Sequence, residues 1–282
     1  MTIALGVIAE DGVVIAADRQ ETEGEHKKAQ RKIDSLWAMP VGALLVSGAG
    51  NGPYIDSMTT RLQQCFGGEA WDPSDDVDEM TNKFGTSHSA FYSEAVMPFA
   101  GYQPYERPDY ELLFGCSIGN AAHLLWYSHK LTVNRADGYR AVGVGASTAE
   151  ALLKKFYVGR LPLKIAISLA AFVVYQVKNS VEGCGFETDV MFTQIGTPPC
   201  RVSTEAVLEM EEAFARYRLV ERDELYKCIG GGFVPRNRDA KGWNKLRHDL
   251  RKPFDSFYEG FELQARKPES TPSASQASES KR

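Results

Sequence analysis

Residues 3–9 and 13–17 are apolar at every position except Gly6, and Glu10-Asp11-Gly12 separates the two runs. Two short apolar runs joined by a glycine-containing turn predict a β-hairpin. Neither run alternates with polar residues, so the hairpin is expected to be covered on both faces. A second strand pair is predicted at 32–38 and 42–47. Helical spacing follows: Ile55, Met58, Leu62 and Cys65 recur at three- and four-residue steps within 51–65, and 77–97 is a longer candidate. Strands at 110–114 and 123–127 flank Gly119-Asn120, helices are predicted at 147–156 and 162–181, and a strand at 188–195. Strands, two helices, strands, two helices and a strand is a segregated order. It predicts an α+β protein with packed antiparallel sheets between helix layers, rather than a parallel βαβ sheet.

Beyond the Pro198-Pro199 seam, Ser203-Thr204 can cap a helix running to 218, with Val207, Met210, Phe214 and Tyr217 on one stripe. Residues 236–252 hold seven basic and two acidic side chains, with Trp243, Leu246 and Leu250 at helical steps. A basic helix with one apolar face reads as a docked helix with a solvated side, in preference to a nucleic-acid surface. Residues 267–282 contain five serines, two prolines and no aliphatic side chain larger than alanine, which predicts a disordered tail. The expected division is 1–200 as one domain, 201–266 as a helical extension and 267–282 as the tail.

Composition changes this picture little. With 43% hydrophobic and 24% charged residues over 282 positions, fibrous and unfolded classes are excluded. The net charge of −5 is uneven: residues 1–200 carry 16 basic and 23 acidic side chains, and the remainder 16 and 14. No apolar run approaches the roughly 20 residues that span a bilayer, and the N-terminus lacks a secretory pattern, so no membrane association and a cytoplasmic location are expected. The five cysteines are far apart with no CxxC pair, and the five histidines show no ligand spacing. Neither a disulfide framework nor a metal site is predicted, and no cofactor is implied.

Candidate chemistry begins at the second residue. Threonine is small enough for aminopeptidase removal of Met1, which would leave Thr2 with a hydroxyl nucleophile and an α-amine of pKa about 8 as a built-in base. The predicted hairpin brings Asp18 back toward the start of the chain, and Lys32 opens the next strand. A lysine between a carboxylate and the nucleophile lowers the hydroxyl and amine pKa values and steers the proton. Gly48, ending a strand, can present its N–H to a developing oxyanion. Taken singly, each is an ordinary strand-end or turn residue. Two rival motifs carry less. Gly115-Cys116-Ser117-Ile118-Gly119 matches GxSxG formally, but a strand follows it where a nucleophile elbow requires a helix. Gly48-Ala49-Gly50-Asn51-Gly52-Pro53 has proline at the last position of a dinucleotide fingerprint and no βαβ unit around it.

The run TIALGVIAEDGVVIAADR from Thr2 to Arg19, followed by Lys32-Ile33 and by LLVSGAG at 44–50, resembles the proteasome β-type subunits and their bacterial relatives, N-terminal-nucleophile (Ntn) hydrolases. The resemblance covers about residues 2–195 and is most specific over 2–50. It implies a four-layer αββα sandwich assembled into rings, Thr2 as nucleophile, Asp18 and Lys32 as its charged partners and Gly48 as oxyanion donor. Activity on a peptide or protein substrate, and an unfoldase or other proteasome-like subunits as partners, are implied in turn. Two alternatives stand beside this: a catalytically silent ring scaffold and a small-amide Ntn hydrolase. The chain departs from the family where a serine between glycines is usual, reading Gly143-Val144-Gly145. The Asp and Ser expected near the end of the long helix fall in 179–185 without unique alignment; Ser180 or Glu182 is a candidate substitute.

Overall fold

The computed structural model describes residues 2–23, 26–39, 42–66, 77–99, 101, 109–118 and 122–229. Segments 236–252 and 267–282 therefore lie outside the described residues. The strands are β1 (Ile3–Ile8), β2 (Val13–Asp18), β3 (Gln20–Glu23), β4 (His26–Ala29), β5 (Ile33–Met39), β6 (Gly42–Gly50), β7 (Tyr110–Ile118), β8 (Ala122–His129), β9 (Thr132–Arg135), β10 (Tyr139–Gly143), β11 (Thr188–Thr193) and β12 (Cys200–Arg201). The helices are α1 (Gly52–Phe66), α2 (Val77–Ala95), α3 (Ala146–Phe156), α4 (Leu163–Lys178) and α5 (Thr204–Ile229), with a 3-10 turn at Met97–Phe99. This is an α+β architecture with antiparallel pairing throughout the described sheets. One sheet has the order β10-β1-β2-β11-β12, the other β5-β6-β7-β8-β9, and β3-β4 form a separate ribbon.

The expected first hairpin forms with Ala4 opposite Ala17 and Ile8 opposite Val13, and every residue of both strands is buried. Side-chain alternation explains why both faces are apolar. Ile3, Leu5 and Val7 of β1 join Ala149 and Leu153 of α3, Ala170 and Val174 of α4, and Val207 and Met210 of α5 in one cluster. Ala4 and Ile8 turn the other way, to meet Leu45, Leu113 and Leu125 of the second sheet. The opposite face of that sheet, including Val46, Phe114 and Trp126, packs on Met58 and Leu62 of α1 and on Phe84 and Phe91 of α2. At Gly6 the sheets approach so closely that a Cβ would lie 2.4 Å from Leu125 Cδ1.

Helix entries follow their local chemistry. Asn51 Oδ1 accepts from Tyr54 N (3.2 Å) at the start of α1, and Ser203 Oγ accepts from Ala206 N (3.2 Å) at the start of α5. Helix α4 begins after Pro162 without a cap of its own; Asp11 Oδ1, from the first hairpin's turn, accepts from Leu163 N at 2.8 Å. Sequence patterning misses the β3-β4 ribbon because its residues, QETE and HKKA, are nearly all polar and show no apolar period. Helix α5 extends past the predicted end at 218 to Ile229, and α4 stops at Lys178, short of 181.

Ser117 lies in the interior of β7, fully buried, with β8 following it. It donates to Thr193 O (3.0 Å) across the sheets and accepts from His123 Nδ1 (3.0 Å), so its hydroxyl is a structural cross-link. His88 on α2 is likewise buried. Its Nε2 lies 2.6 Å from Lys130 O, and because a carbonyl only accepts, Nε2 carries the proton and Nδ1 accepts from Tyr110 OH (3.1 Å). That bond holds the carbonyl of Lys130, whose φ of 52° is left-handed. Burial holds the pKa values of His88 and His123 below the ordinary 6.5. The unfolded imidazoles take up protons near that value while the native ones do not, so stability falls as pH drops below it. Urea midpoints measured at about pH 7.5 and 5.5 should show this loss. The slope should be shallower in His88→Gln, whose amide can keep both hydrogen bonds; an unaltered slope would contradict the assignment.

Candidate active site

Thr2 immediately precedes β1 and Asp18 ends β2. The register places Ala4 opposite Ala17, which brings Asp18 under the start of the chain. Lys32 immediately precedes β5 in the other sheet, and Ser47 Oγ fixes its carbonyl by donating to Lys32 O at 2.8 Å. The structure thus brings Thr2, Asp18 and Lys32 into one hydrogen-bonded group. Asp18 is completely buried, Thr2 nearly so, and the Lys32 side chain is 12% exposed.

A buried carboxylate requires its lone pairs satisfied. Asp18 Oδ1 accepts from Lys32 Nζ (2.8 Å), Thr2 Oγ1 (3.2 Å) and Ile3 N (3.1 Å), and Oδ2 accepts from Gly185 N (2.9 Å). The Lys32 ammonium donates to Asp18, to Gln20 O (2.5 Å) and to Thr2 Oγ1, which uses its three protons. Burial pulls the Lys32 pKa below 10.5, and the charge of Asp18 opposes this. The outcome is a cation held against a hydroxyl oxygen in a largely water-free site, where it can stabilise developing negative charge on that oxygen.

Gly48 lies on β6 opposite Leu112, and Leu112 N donates the other way, to Ser128 Oγ (2.8 Å). Opposed residues of an antiparallel pair share both bonds or neither, so the Gly48 N–H points away from β7, to the side on which β5 pairs only as far as Ile33. That is the side from which Lys32 enters. At Gly143, where φ is +94°, a Cβ would stand 2.3 Å from Thr2 O and 2.8 Å from Ala49 Cβ. Gly143→Ala is therefore expected to cost about 1–3 kcal/mol from the left-handed backbone alone, with further loss from the clash. Thermal unfolding checks it; a midpoint like that of the parent chain would contradict the close approach. Glu111 Oε2 accepts from Gly143 N at 3.0 Å and steadies the same turn.

Several contributors escape sequence reasoning. Gly185 donates to Asp18 through its backbone, and Gln20 accepts from Lys32 through its carbonyl; neither act depends on a side chain. The candidate substitute Ser180 does not enter the group, because its hydroxyl donates to Gln176 O (2.7 Å) on α4. Glu182 makes no hydrogen bond to the group's described residues, and Val144 is 47% exposed. The thiol of Cys184, beside Gly185, is pushed up to about 11 by burial and then by Asp18, so it stays neutral and is a poor nucleophile. Among the described residues no helix is long and apolar enough to cross a membrane.

Two facing antiparallel sheets with helices packed on their outer sides form a proteasome-like β fold. Solved structures carry it: the chain is similar to Anbu (ancestral beta-subunit) from Yersinia bercovieri, at 17% identity and a TM-score of 0.63 over 84% of this chain and 99% of that one. It is similar to a chain of the helical assembly of the Anbu complex from Pseudomonas aeruginosa, at 17% identity and a TM-score of 0.65 over 83% and 98%. Anbu from Hyphomicrobium sp. strain MC1 aligns at 16% identity and a TM-score of 0.60 over 81% and 97%. No protein-family model matches the sequence, and no curated protein matches it significantly.

Proposed function

We propose that this chain is an Ntn hydrolase of the proteasome β type, a four-layer αββα sandwich that cleaves peptide or amide bonds with Thr2 as nucleophile once Met1 is removed. One observation carries the reading: the Lys32 ammonium, largely shielded from solvent, bonds both Thr2 Oγ1 and Asp18 Oδ1. In the reaction the Thr2 hydroxyl attacks the substrate carbonyl and its proton passes to the Thr2 amine. Lys32, anchored by Asp18, offsets the negative charge that develops on Oγ1, and Gly48 N–H receives the tetrahedral oxyanion. The amine returns the proton to the leaving group, and water then hydrolyses the ester. No cofactor enters this scheme.

Self-association into a ring or helical array accompanies the reading, since a neighbour of the same fold is described as a helical assembly. Intact-mass measurement tests the mechanism: the purified chain should lack Met1, and persistence of Met1 would overturn it. Native mass should give a multiple of the chain. A second reading, a catalytically silent scaffold, is favoured by Val144, which exposes a valine where the resemblance calls for a hydroxyl. That reading expects no acylation of Thr2 by hydroxyl-directed electrophiles.

A further inference from the structure

We propose that Arg201, on β12 beyond the first 200 residues, is a positioning residue for Lys32, acting by clamping the Ile33 carbonyl to the strand beside Asp18. Lys32 and Asp18 reach each other from different sheets, so their contact depends on how those sheets are held at this end. The Arg201 fork spans the gap. Its Nη1 forms an ion pair with Asp189 Oδ2, and its Nη2 donates to Ile33 O at 2.5 Å. Asp189 is buried on β11 opposite Ala17, one residue from Asp18. Ile33 is the residue after Lys32. With Ser47 Oγ on Lys32 O, two consecutive carbonyls at the start of β5, that of Lys32 and that of the next residue, are fixed, one by each sheet.

Guanidinium suits this task because its planar fork serves two acceptors at once, whereas an ammonium offers a point charge. The groups that face Lys32 are Thr2 and Asp18 at the start of the chain and on β2, Glu21 on β3, and Cys184 after α4. Releasing the Ile33 carbonyl frees the 33–34 peptide at the start of β5, and a shift of that strand end would let the Lys32 ammonium withdraw from these partners and regain water. Its pKa, held down by burial, then rises toward 10.5. Because the protonated lysine is the form that supports attack, the alkaline limb of the Thr2 reaction moves to higher pH as the rate falls.

The inference rests on Thr2 being the nucleophile, and the test separates the two. A peptide-derived β-lactone is the probe: the Thr2 hydroxyl attacks the lactone carbonyl, the ring C–O bond breaks, an ester forms, and the hydroxyl proton ends on the released ring oxygen. Addition is followed by intact mass against pH on the full chain, with Thr2→Ala as the blank. Arg201→Lys keeps a cation for Asp189, and Arg201→Met removes it. Acylation is expected to slow about 10- to 100-fold in both, as small misplacements of a catalytic group do. The alkaline limb should also move upward in Arg201→Lys, while its circular dichroism matches the parent. A merely structural role would reduce the folded fraction without moving that limb. Acylation of Arg201→Lys at the parent rate, with an unmoved limb, overturns the positioning role and leaves the nucleophile standing. Failure of the parent chain to acylate overturns the nucleophile itself, before any Arg201 variant is compared.

Discussion

Thr2→Ala should abolish amide hydrolysis, lowering turnover by at least about a thousandfold, as loss of a covalent nucleophile does elsewhere. Alanine is small enough for Met1 removal to continue, so the α-amine, Asp18 and Lys32 all remain and only the attacking oxygen is gone. The fold should survive. Thr2 Oγ1 supplies one of four contacts to Asp18, and the others, from Lys32, Ile3 and Gly185, do not need it. Thr2→Ser keeps the oxygen and should retain measurable activity. Peptide turnover and thermal unfolding on the same samples make the comparison; Thr2→Ala turning over like the parent would rule out the mechanism.

Lys32→Met should remove both activity and stability, and here the buried carboxylate decides the size of the effect. Asp18 is fully buried and Lys32 is the cation bound to it. Removing one partner of a buried pair leaves an uncompensated charge and costs about 3–5 kcal/mol. Urea unfolding should register that loss. Adding Asp18→Asn to Lys32→Met removes the stranded charge; the amide oxygen can still accept from Ile3 N, but the amide NH2 then faces the Gly185 N–H without a bond, so stability should recover in part and activity should not. A Lys32→Met chain as stable as the parent would mean that the ammonium does not balance Asp18 in solution.

The first sheet pair is legible in the chain because it is built locally. Two unbroken apolar runs and a three-residue turn leave the hairpin of β1 and β2 little choice of partner, and burial on both faces follows from the lack of alternation. The same locality makes Asp18 readable as a neighbour of Thr2. Lys32 is visible as a charge at a strand start, but nothing local says which carboxylate it meets. Gly185 is a different case. Its contribution is an N–H on a loop 167 residues away from Asp18 in the chain, and a backbone donor has no signature in residue type. The β3-β4 ribbon escapes for a related reason: strands made almost wholly of polar residues show no hydrophobic period, although this ribbon carries the Gln20 carbonyl that receives Lys32.

The sequence by itself determined the α+β class, the buried double-faced strands, the helix that starts at Ser203-Thr204, and a threonine, a carboxylate and a lysine at strand ends. Those features depend on residue type and short-range periodicity, which a linear chain displays. Only the tertiary structure decided that the lysine of one sheet enters the carboxylate of the other, that a glycine N–H completes the carboxylate's shell, and that Arg201 ties β11 to the carbonyl of Ile33, the residue after Lys32. Such contacts arise when two sheets close on each other. Distance through space then replaces distance along the chain, and the charge that a sequence leaves unpaired finds its partner.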